Sequence, residues 1–395
     1  MAKVLVTGGD ERAALAIVRS LGRAGHRVVV GSRDGRSLAG ASKHAARDVA
    51  LGDSLGFPKA FSSRVREEVA REAVDVILPV TEPDLLAILP MKEELSPAVV
   101  PFPDLPVFLA ASDKARVADL AKGVGLSVPR QMVVTRDDVS SLPNRAEEAV
   151  VLKPGRSVQS GAKLSVSYVA KGEALRDRVA RMPDAAFPLL VQHRIVGPGV
   201  GVFMLRWDGR ILAAMAHRRL REKPPSGGVS VLRESVVLDP GIHRMAEELL
   251  VALEWSGVAM IELKLDEASG APYIMEINGR FWGSLQLAID AGLDFPALLV
   301  DAALGHGVRR IDAYRVGVRS RWIMGDLDHV LMRLRRSRGE LNLPPGAPGR
   351  ARTLAGFVRA FAPPVRSEVF RWSDPAPFLA EVRRWVGSLA VGRTR

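Results

Sequence analysis

The chain has 395 residues, of which 47% are hydrophobic and 25% charged, a globular composition long enough for two or three packed units. It contains no cysteine, which excludes disulfides, thiolate zinc sites and a cysteine nucleophile, and its seven histidines show no H-x-x-x-H spacing. The net charge of +12 is uneven: from Arg309 to Arg395 there are 18 arginines and no lysine against 7 acids, a surplus of 11, so the first 308 residues are close to neutral.

Residues 4–7 are short and apolar and enter the turn Thr7-Gly8-Gly9, the pattern of a first strand rather than of a secretory leader. Residues 11–24 carry apolar side chains at Ala14, Ile17, Val18 and Leu21, which is helical spacing. A strand at 27–30, a helix at 65–73, a strand at 74–80 and a helix from 85 follow. Strand and helix alternating in this way predict a parallel, doubly wound sheet. The dinucleotide fingerprint G-x-G-x-x-G is absent after Gly8, which argues against a nicotinamide-dependent dehydrogenase. The helix start after Gly9 is a weak candidate for an anionic substrate group, with the strand end Pro79-Val80-Thr81-Glu82 beside it.

The proline-rich run 97–106 reads as a boundary. A helix at 115–123 opens after Asp113-Lys114, and strands are expected at 128–135, 149–153 and 189–192. Strands 202–207 and 210–216 are joined by Asp208-Gly209, a hairpin signal. A helix at 241–254 precedes a second hairpin, 258–266 with 272–277. Beyond Gly307 the texture changes. Pro344-Pro345-Gly346-Ala347-Pro348-Gly349 is turn-rich, and 377–391 is an amphipathic helix with Phe378, Val382, Trp385, Val386 and Leu389 on one face. No stretch of 18 apolar residues occurs, and a cytoplasmic protein is expected.

Three groups of residues can carry chemistry. On the second hairpin, Glu276 and Asn278 are two apart and share a face, and pairing can set Glu262 opposite them. Two carboxylates and an amide oxygen amid apolar neighbours suit a hard cation such as Mg2+ (or Mn2+) shared with nucleotide phosphates. Arg280, on the same face, is placed to meet a transferring phosphoryl group. The competing explanation is a polar stripe on an edge strand. Lys153 ends an apolar strand and is followed by a small-residue loop that includes Ser157, Ser160 and Gly161, whose backbone N–H groups can approach phosphate oxygens. The loop is not a Walker P-loop, because no Lys-Ser or Lys-Thr follows Gly161. Finally, His217-Arg218-Arg219-Leu220-Arg221-Glu222-Lys223 is a basic strand end that runs into Pro224-Pro225-Ser226-Gly227-Gly228, a loop suited to clamping phosphates or, more plainly, a basic surface loop.

Taken in order, these elements resemble the ATP-grasp superfamily, in particular its carboxylate–amine ligases and the ATP-binding halves of carbamoyl phosphate synthase. The resemblance covers about residues 1–308. It implies an α/β chain, α+β in its ATP-grasp part: a Rossmann-like domain at 1–110, an ATP-grasp domain at 111–308 with a small lobe to about 192 and a large lobe after it, and a small arginine-rich region at 309–395. By the same resemblance Lys114 and Lys153 contact ATP phosphates, and the loop with Ser157, Ser160 and Gly161 covers them. The hinge around Gln192 and Ile195 holds adenine through its backbone; Glu262, Glu276 and Asn278 bind magnesium; Arg280 and Arg218 lie near an acyl phosphate. The implied activity joins a small carboxylate to an amine, releasing ADP and phosphate. Alternatives are a carboxyphosphate- or carbamate-forming enzyme and a non-catalytic ATP-binding module. The sequence departs from the pattern at Gln192, where many relatives carry glutamate; at Gly197-Pro198-Gly199-Val200-Gly201, where an acid is common; and at Glu262, where aspartate or glutamine also occurs. The C-terminal arginines, with Trp322, Trp372 and Trp385, form either a surface for an anionic polymer or membrane, or a solvated face over packed tryptophans.

Overall fold

The computed structural model describes the chain except residues 312, 345 and 391–395. The expected amphipathic helix is Ala376–Ala390, so residue 391 of that expectation, like Pro345 of the turn-rich run, lies outside the described residues.

Four parallel strands form the first sheet: β1 (Lys3–Val6), β2 (Arg27–Ser32), β3 (Arg47–Ala50) and β4 (Val76–Leu78), in the order β3-β2-β1-β4. This is the doubly wound layout that the alternating pattern predicts. β3 escaped the sequence reading because only Val49 of its four residues is buried, so it carries no apolar run. The helix Arg12–Arg23 departs in another way: residues 13–21 are all buried, not one face alone. The reason is that the C-terminal segment covers its outer side. Arg19 is 3% exposed; its Nε donates to Asp374 at 2.8 Å and its Nη atoms donate to the backbone oxygens of Glu368, Val369 and Asp374.

The second sheet is antiparallel and has its own small core, which includes Val134, Leu152, Val179 and Leu189. It contains β5 (Gln131–Val134), β6 (Val150–Pro154), β9 (Ser167–Val169) and β10 (Leu189–His193), ordered β5-β10-β6-β9. A two-stranded flap, β7 (Val158–Gln159) and β8 (Ala162–Lys163), projects after β6.

The third sheet has seven strands: β11 (Gly199–Trp207), β12 (Arg210–Lys223), β13 (Val229–Val236), β14 (Gly257–Leu265), β15 (Pro272–Asn278), β16 (Arg319–Arg321) and β17 (Val365–Ser367). Their order is β15-β14-β11-β12-β13-β16-β17. Both expected hairpins are present, β11 with β12 and β14 with β15. β12 runs seven residues beyond the expected end at 216, because its basic half pairs with β13. β16 and β17, both from the arginine-rich region, extend the same sheet. One continuous core runs through the first and third sheets, with Trp282 stacked on Phe203 at 4.2 Å and edge-on to Phe295.

Much of the C-terminal basic surplus is paired internally, as in Arg321–Asp326 and Arg371–Asp290. Trp322 and Trp385 are held by their indole N–H groups to Glu381 and Asp328, whereas Trp372 is 88% exposed. Among the described residues no helix is long and apolar enough to cross a membrane.

The Arg19 clamp yields a stability prediction. Arg19→Met leaves Asp374 buried without its guanidinium, and breaking a buried pair from one side costs about 3–5 kcal/mol. Urea denaturation followed by circular dichroism should show a loss of that order, whereas an exposed pair such as Arg33–Asp53, removed by Arg33→Met, should cost under about 1 kcal/mol.

Candidate active site between the two antiparallel sheets

A cleft of about 440 Å³ opens between the second and third sheets. From the second sheet Val151, Lys153, Tyr168, Gln192 and Ile195 line it; from the third come Glu262, Lys264, Glu276, Asn278 and Arg280.

Strand register builds its floor. Glu262 on β14 pairs with Glu276 on β15 and with Gly201 on β11, and Gly201 pairs with His217 on β12. Directly paired residues share a face, so His217, Gly201, Glu262 and Glu276 form one row across four strands. Asn278 lies two residues on from Glu276, on the same face. The glycine at 201 is required, since a Cβ there would fall 2.8 Å from His217 Nε2 and 2.9 Å from the Met260 methyl and the Phe203 ring.

Polar contacts tie the sequence-expected residues together. Arg280 Nη2 donates to Asn278 Oδ1 (3.2 Å), and Asn278 Nδ2 donates to Glu276 Oε1 (3.1 Å). Lys114 Nζ lies 3.7 Å from Glu276 Oε2 and donates to Ser157 Oγ at 3.0 Å. Lys114 is positioned by the start of its helix: Asp113 caps it through the backbone N–H groups of Ala115 and Arg116, and Lys114 N donates to Gly155 O. Burial opposes ionisation of Glu276, yet Lys114 and Lys153, with Asn278 and Arg280, hold its carboxyl below the ordinary glutamate range. Burial pushes the Lys153 ammonium down to about 8, against the pull of Glu276 and Glu262. Its Nζ donates to the Met275 sulfur at 3.6 Å, a weak acceptor that an anion could replace.

The hinge is less open. Gln192 lines the cleft, but its side-chain amide donates to Gln131 Oε1 at 2.7 Å, and the Ile195 carbonyl accepts from Lys264 Nζ at 3.3 Å.

Three expected residues lie elsewhere. Arg218 is exposed and pairs with Glu234 at 3.3 Å, because alternation along β12 turns His217 and Arg219 into the cleft and Arg218 out of it. Ser160 and Gly161 form the exposed tip of the β7–β8 flap, outside the cleft lining, and only Ser157 of that loop reaches it.

Arg219, from the basic strand end His217-Arg218-Arg219, is central. Its Nη2 lies 2.5 Å from Glu262 Oε2 and its Nη1 lies 3.1 Å from Glu222 Oε1. Despite burial, the two carboxylates raise its pKa. Gly199 makes room for it: a Cβ there would meet the Arg219 side chain at 2.8 Å. His217 of the same strand end also lines the cleft, as do Arg12 and Arg233, which the sequence did not assign to it. Burial, then Arg219 and Arg233, push His217 well below its usual range, so it is neutral at pH 7. A period-2 count along β12 separates Arg218 from Arg219, but residues 211–216 are apolar on both faces and give no parity.

Oxygen donors at 262, 276 and 278 share the cleft face, a chemistry that suits Mg2+ or Mn2+. Among the described residues no three His, Asp or Glu side chains converge as a ready cage, and Glu262 is engaged by Arg219. The fit therefore centres on Glu276 and Asn278, with Glu262 available on rearrangement of Arg219.

Comparison with known proteins agrees with this architecture. The model of an ATP-grasp family, described as ATP-grasp in the biosynthetic pathway with Ter operon, matches residues 186–325. The fold is similar to that of an L-amino acid ligase from Bacillus licheniformis (18% identity, 79% of this chain and 78% of that one, TM-score 0.60). It is also similar to a biotin carboxylase from Campylobacter jejuni solved with β,γ-ATP (14%, 81% and 74%, 0.62). N5-carboxyaminoimidazole synthetase from Staphylococcus aureus, solved with ADP, is a further likeness (12%, 80% and 80%, 0.61). No curated protein sequence matches. The chain has the ATP-grasp fold, and its residues 186–325 match an ATP-grasp family model.

The depressed Lys153 gives a pH prediction. An unfolded lysine keeps its value near 10.5 while the folded one titrates at about 8, so the unfolded state binds more protons between those values and stability rises with pH there. The buried ammonium is thus a penalty that is fully present below pH 8 and relieved above it. Lys153→Met should be more stable than the parent at pH 7, and its advantage should shrink by pH 9.5, as measured by denaturant midpoints at both values.

Proposed function

We propose that this chain is an ATP-dependent ligase that joins a carboxylate to an amine through an acyl phosphate, releasing ADP and phosphate. The observation that supports this most strongly is the gathering of Lys153, Glu276, Asn278 and Arg280 on one cleft between two sheets, with Lys114 reaching Glu276 from an adjoining pocket. The L-amino acid ligase and the ADP- and ATP-analogue-bound proteins that share the fold point the same way.

In this mechanism Lys114 and Lys153 offset the charge of the ATP phosphates, where local low dielectric makes each ammonium effective. A Mg2+ or Mn2+ ion held by Glu276, Asn278 and Glu262 would screen charge between the phosphates. The substrate carboxylate oxygen bonds to the γ-phosphorus as its bond to the bridging oxygen breaks, and ADP leaves. Arg280, fixed by Asn278 and the Phe281 carbonyl, faces the acyl phosphate and stabilises its charge. The amine nitrogen then attacks the acyl carbon, phosphate departs with the bonding electrons, and the amine proton passes to solvent or phosphate. Closure of the β7–β8 flap and the Gly227-Gly228 turn limits hydrolysis.

The test is ADP release against a panel of amino acids and small acids, with products identified by mass spectrometry. Glu276→Gln should lower kcat about 100- to 1000-fold, the usual loss of one electrostatic stabiliser, with little change in thermal midpoint. Equal ADP release by variant and parent at saturating Mg2+ would remove Glu276 from the machinery. Incorporation of labelled bicarbonate would instead assign carboxyphosphate chemistry. ATP binding without ADP release across the panel would assign a non-catalytic module.

A further inference from the structure

The cleft extends beyond the acidic row to a wall made by Arg12, Arg233, His217, Trp282 and Gly283. The ligase chemistry above uses none of these residues. The guanidiniums of Arg12 and Arg233 are 11% and 0% exposed, and both pair with one carboxylate, Glu368, which also accepts from Ser320. Arg219 beside them pairs with Glu222 and Glu262, and those two carboxylates also act on Lys264 and, through Glu262, on Lys153, so their charge is already shared among three cations. The Arg12–Arg233–Glu368 group therefore holds one surplus positive charge in a buried place. Glu11 and Glu381 also act on Arg12, but burial pushes the Glu381 carboxyl up and its oxygen is occupied by Trp322.

Burial lowers Arg12 to about 10, against the pull of Glu11 and Glu381. Burial, then repulsion from Arg12 and Arg219, lowers Arg233 well below the arginine range. In both, loss of water on burial is the first cause. Among the described residues, Arg233 Nε, His217 Nε2 and Trp282 Nε1 are buried without a hydrogen bond. Buried polar groups are rarely left so. There is room for a ligand beside them. A Cβ at Gly283 would stand 3.0 Å from Arg12 Nη2, and glycine leaves that space open. A guanidinium presents a planar fork matched to a carboxylate, and the stacked Trp282 and Phe203 rings restrict the group to a small one.

We propose that Arg12 and Arg233 form a subsite for a carboxylate that one substrate carries in addition to the carboxylate being activated. The assignment rests on the ligase function proposed above. The carboxylate has two sources: an amino acid used as the amine acceptor, or a dicarboxylic acid used as the activated substrate.

The test is isothermal titration of the full chain without ATP, using two probe pairs: L-alanine against L-alaninamide, and succinate against succinamate. The carboxylate member of one pair should bind about 10- to 100-fold more tightly than its amide, the difference that hydrogen bonds to a charged group make. Discrimination in the alanine pair assigns the amino-acid source, and in the succinate pair the dicarboxylic source. Arg12→Gln should abolish it and Arg12→Lys should retain part of it. Because Arg12→Gln also releases Glu368, Gly283→Ala is the second variant: it keeps every charge but fills the space beside Arg12, and should weaken the carboxylate member alone. Equal binding within both pairs, or discrimination unchanged in Arg12→Gln and Gly283→Ala, overturns the subsite. Binding is read without turnover, so discrimination with no ADP release from any substrate would discard the ligase function and leave the subsite standing.

Discussion

The register that sets Glu262 against Glu276 is the constraint on which the cleft depends. A one-residue slip of β15 along β14 would turn Glu276 into the core and bring Ile277 out in its place, while β14 stays held by β11. The apolar alternates hold the register, since Ile261, Leu263 and Ile277 are at most 6% exposed. A polar row thus exists because an apolar row on the opposite face cannot be exposed. Once the row is placed, its charges need partners. Lys114 arrives from a capped helix start, Lys153 from the second sheet and Arg219 from β12. Each acid of the cleft floor thus has a base beside it, in a polar gap between two cores.

The β14–β15 hairpin and its polar face were legible because two kinds of information coincided there. The E-x-N-x-R spacing put Glu276, Asn278 and Arg280 on one face, and the turn at Ala268-Ser269-Gly270 made β14 the natural partner. Lys114 and Lys153 were legible through local signals, an Asp cap and a strand end. What could not be read were choices made by long-range pairing. Arg218 and Arg219 are adjacent arginines, and which one enters the cleft is decided by the pairing of Gly201 with His217, sixteen residues apart in sequence. The bulges between Arg219 and Glu222 obscure the alternation further. Arg12 stands at the helix start that the sequence marks only weakly for an anionic group, with no local signal of burial. It is buried because Glu368 and Trp322, more than 300 residues later, come to lie against it.

The glycines after the hinge show how a departure from a family pattern acquires a physical reason. Gly199 and Gly201 stand where an acid is common, and the sequence offers no replacement. In the structure Gly199 clears the path of Arg219 and Gly201 clears His217 and the Met260 methyl. A side chain at either position would displace Arg219 or His217. The missing acid and the inward arginine are therefore one feature: small residues on β11 let β12 project basic groups over the cleft floor.

The arginine-rich region has a comparable double role. Its strands β16 and β17 complete the third sheet, and its segment around Glu368 to Asp374 grips the first helix through Arg19. The same segment supplies Glu368, the single carboxylate between Arg12 and Arg233. A region that composition marks as a separate basic tail is thus coupled to the inner wall of the cleft. Losing its hold on the first helix would loosen the first sheet and free both guanidiniums together, since one short stretch of chain anchors Arg19 and pairs with Arg12. The surplus charge at that wall is consequently a property of the assembled fold: Arg12 comes from the first helix, Arg233 from β13 and Glu368 from the strand end beyond β17, and no two of them are local in sequence.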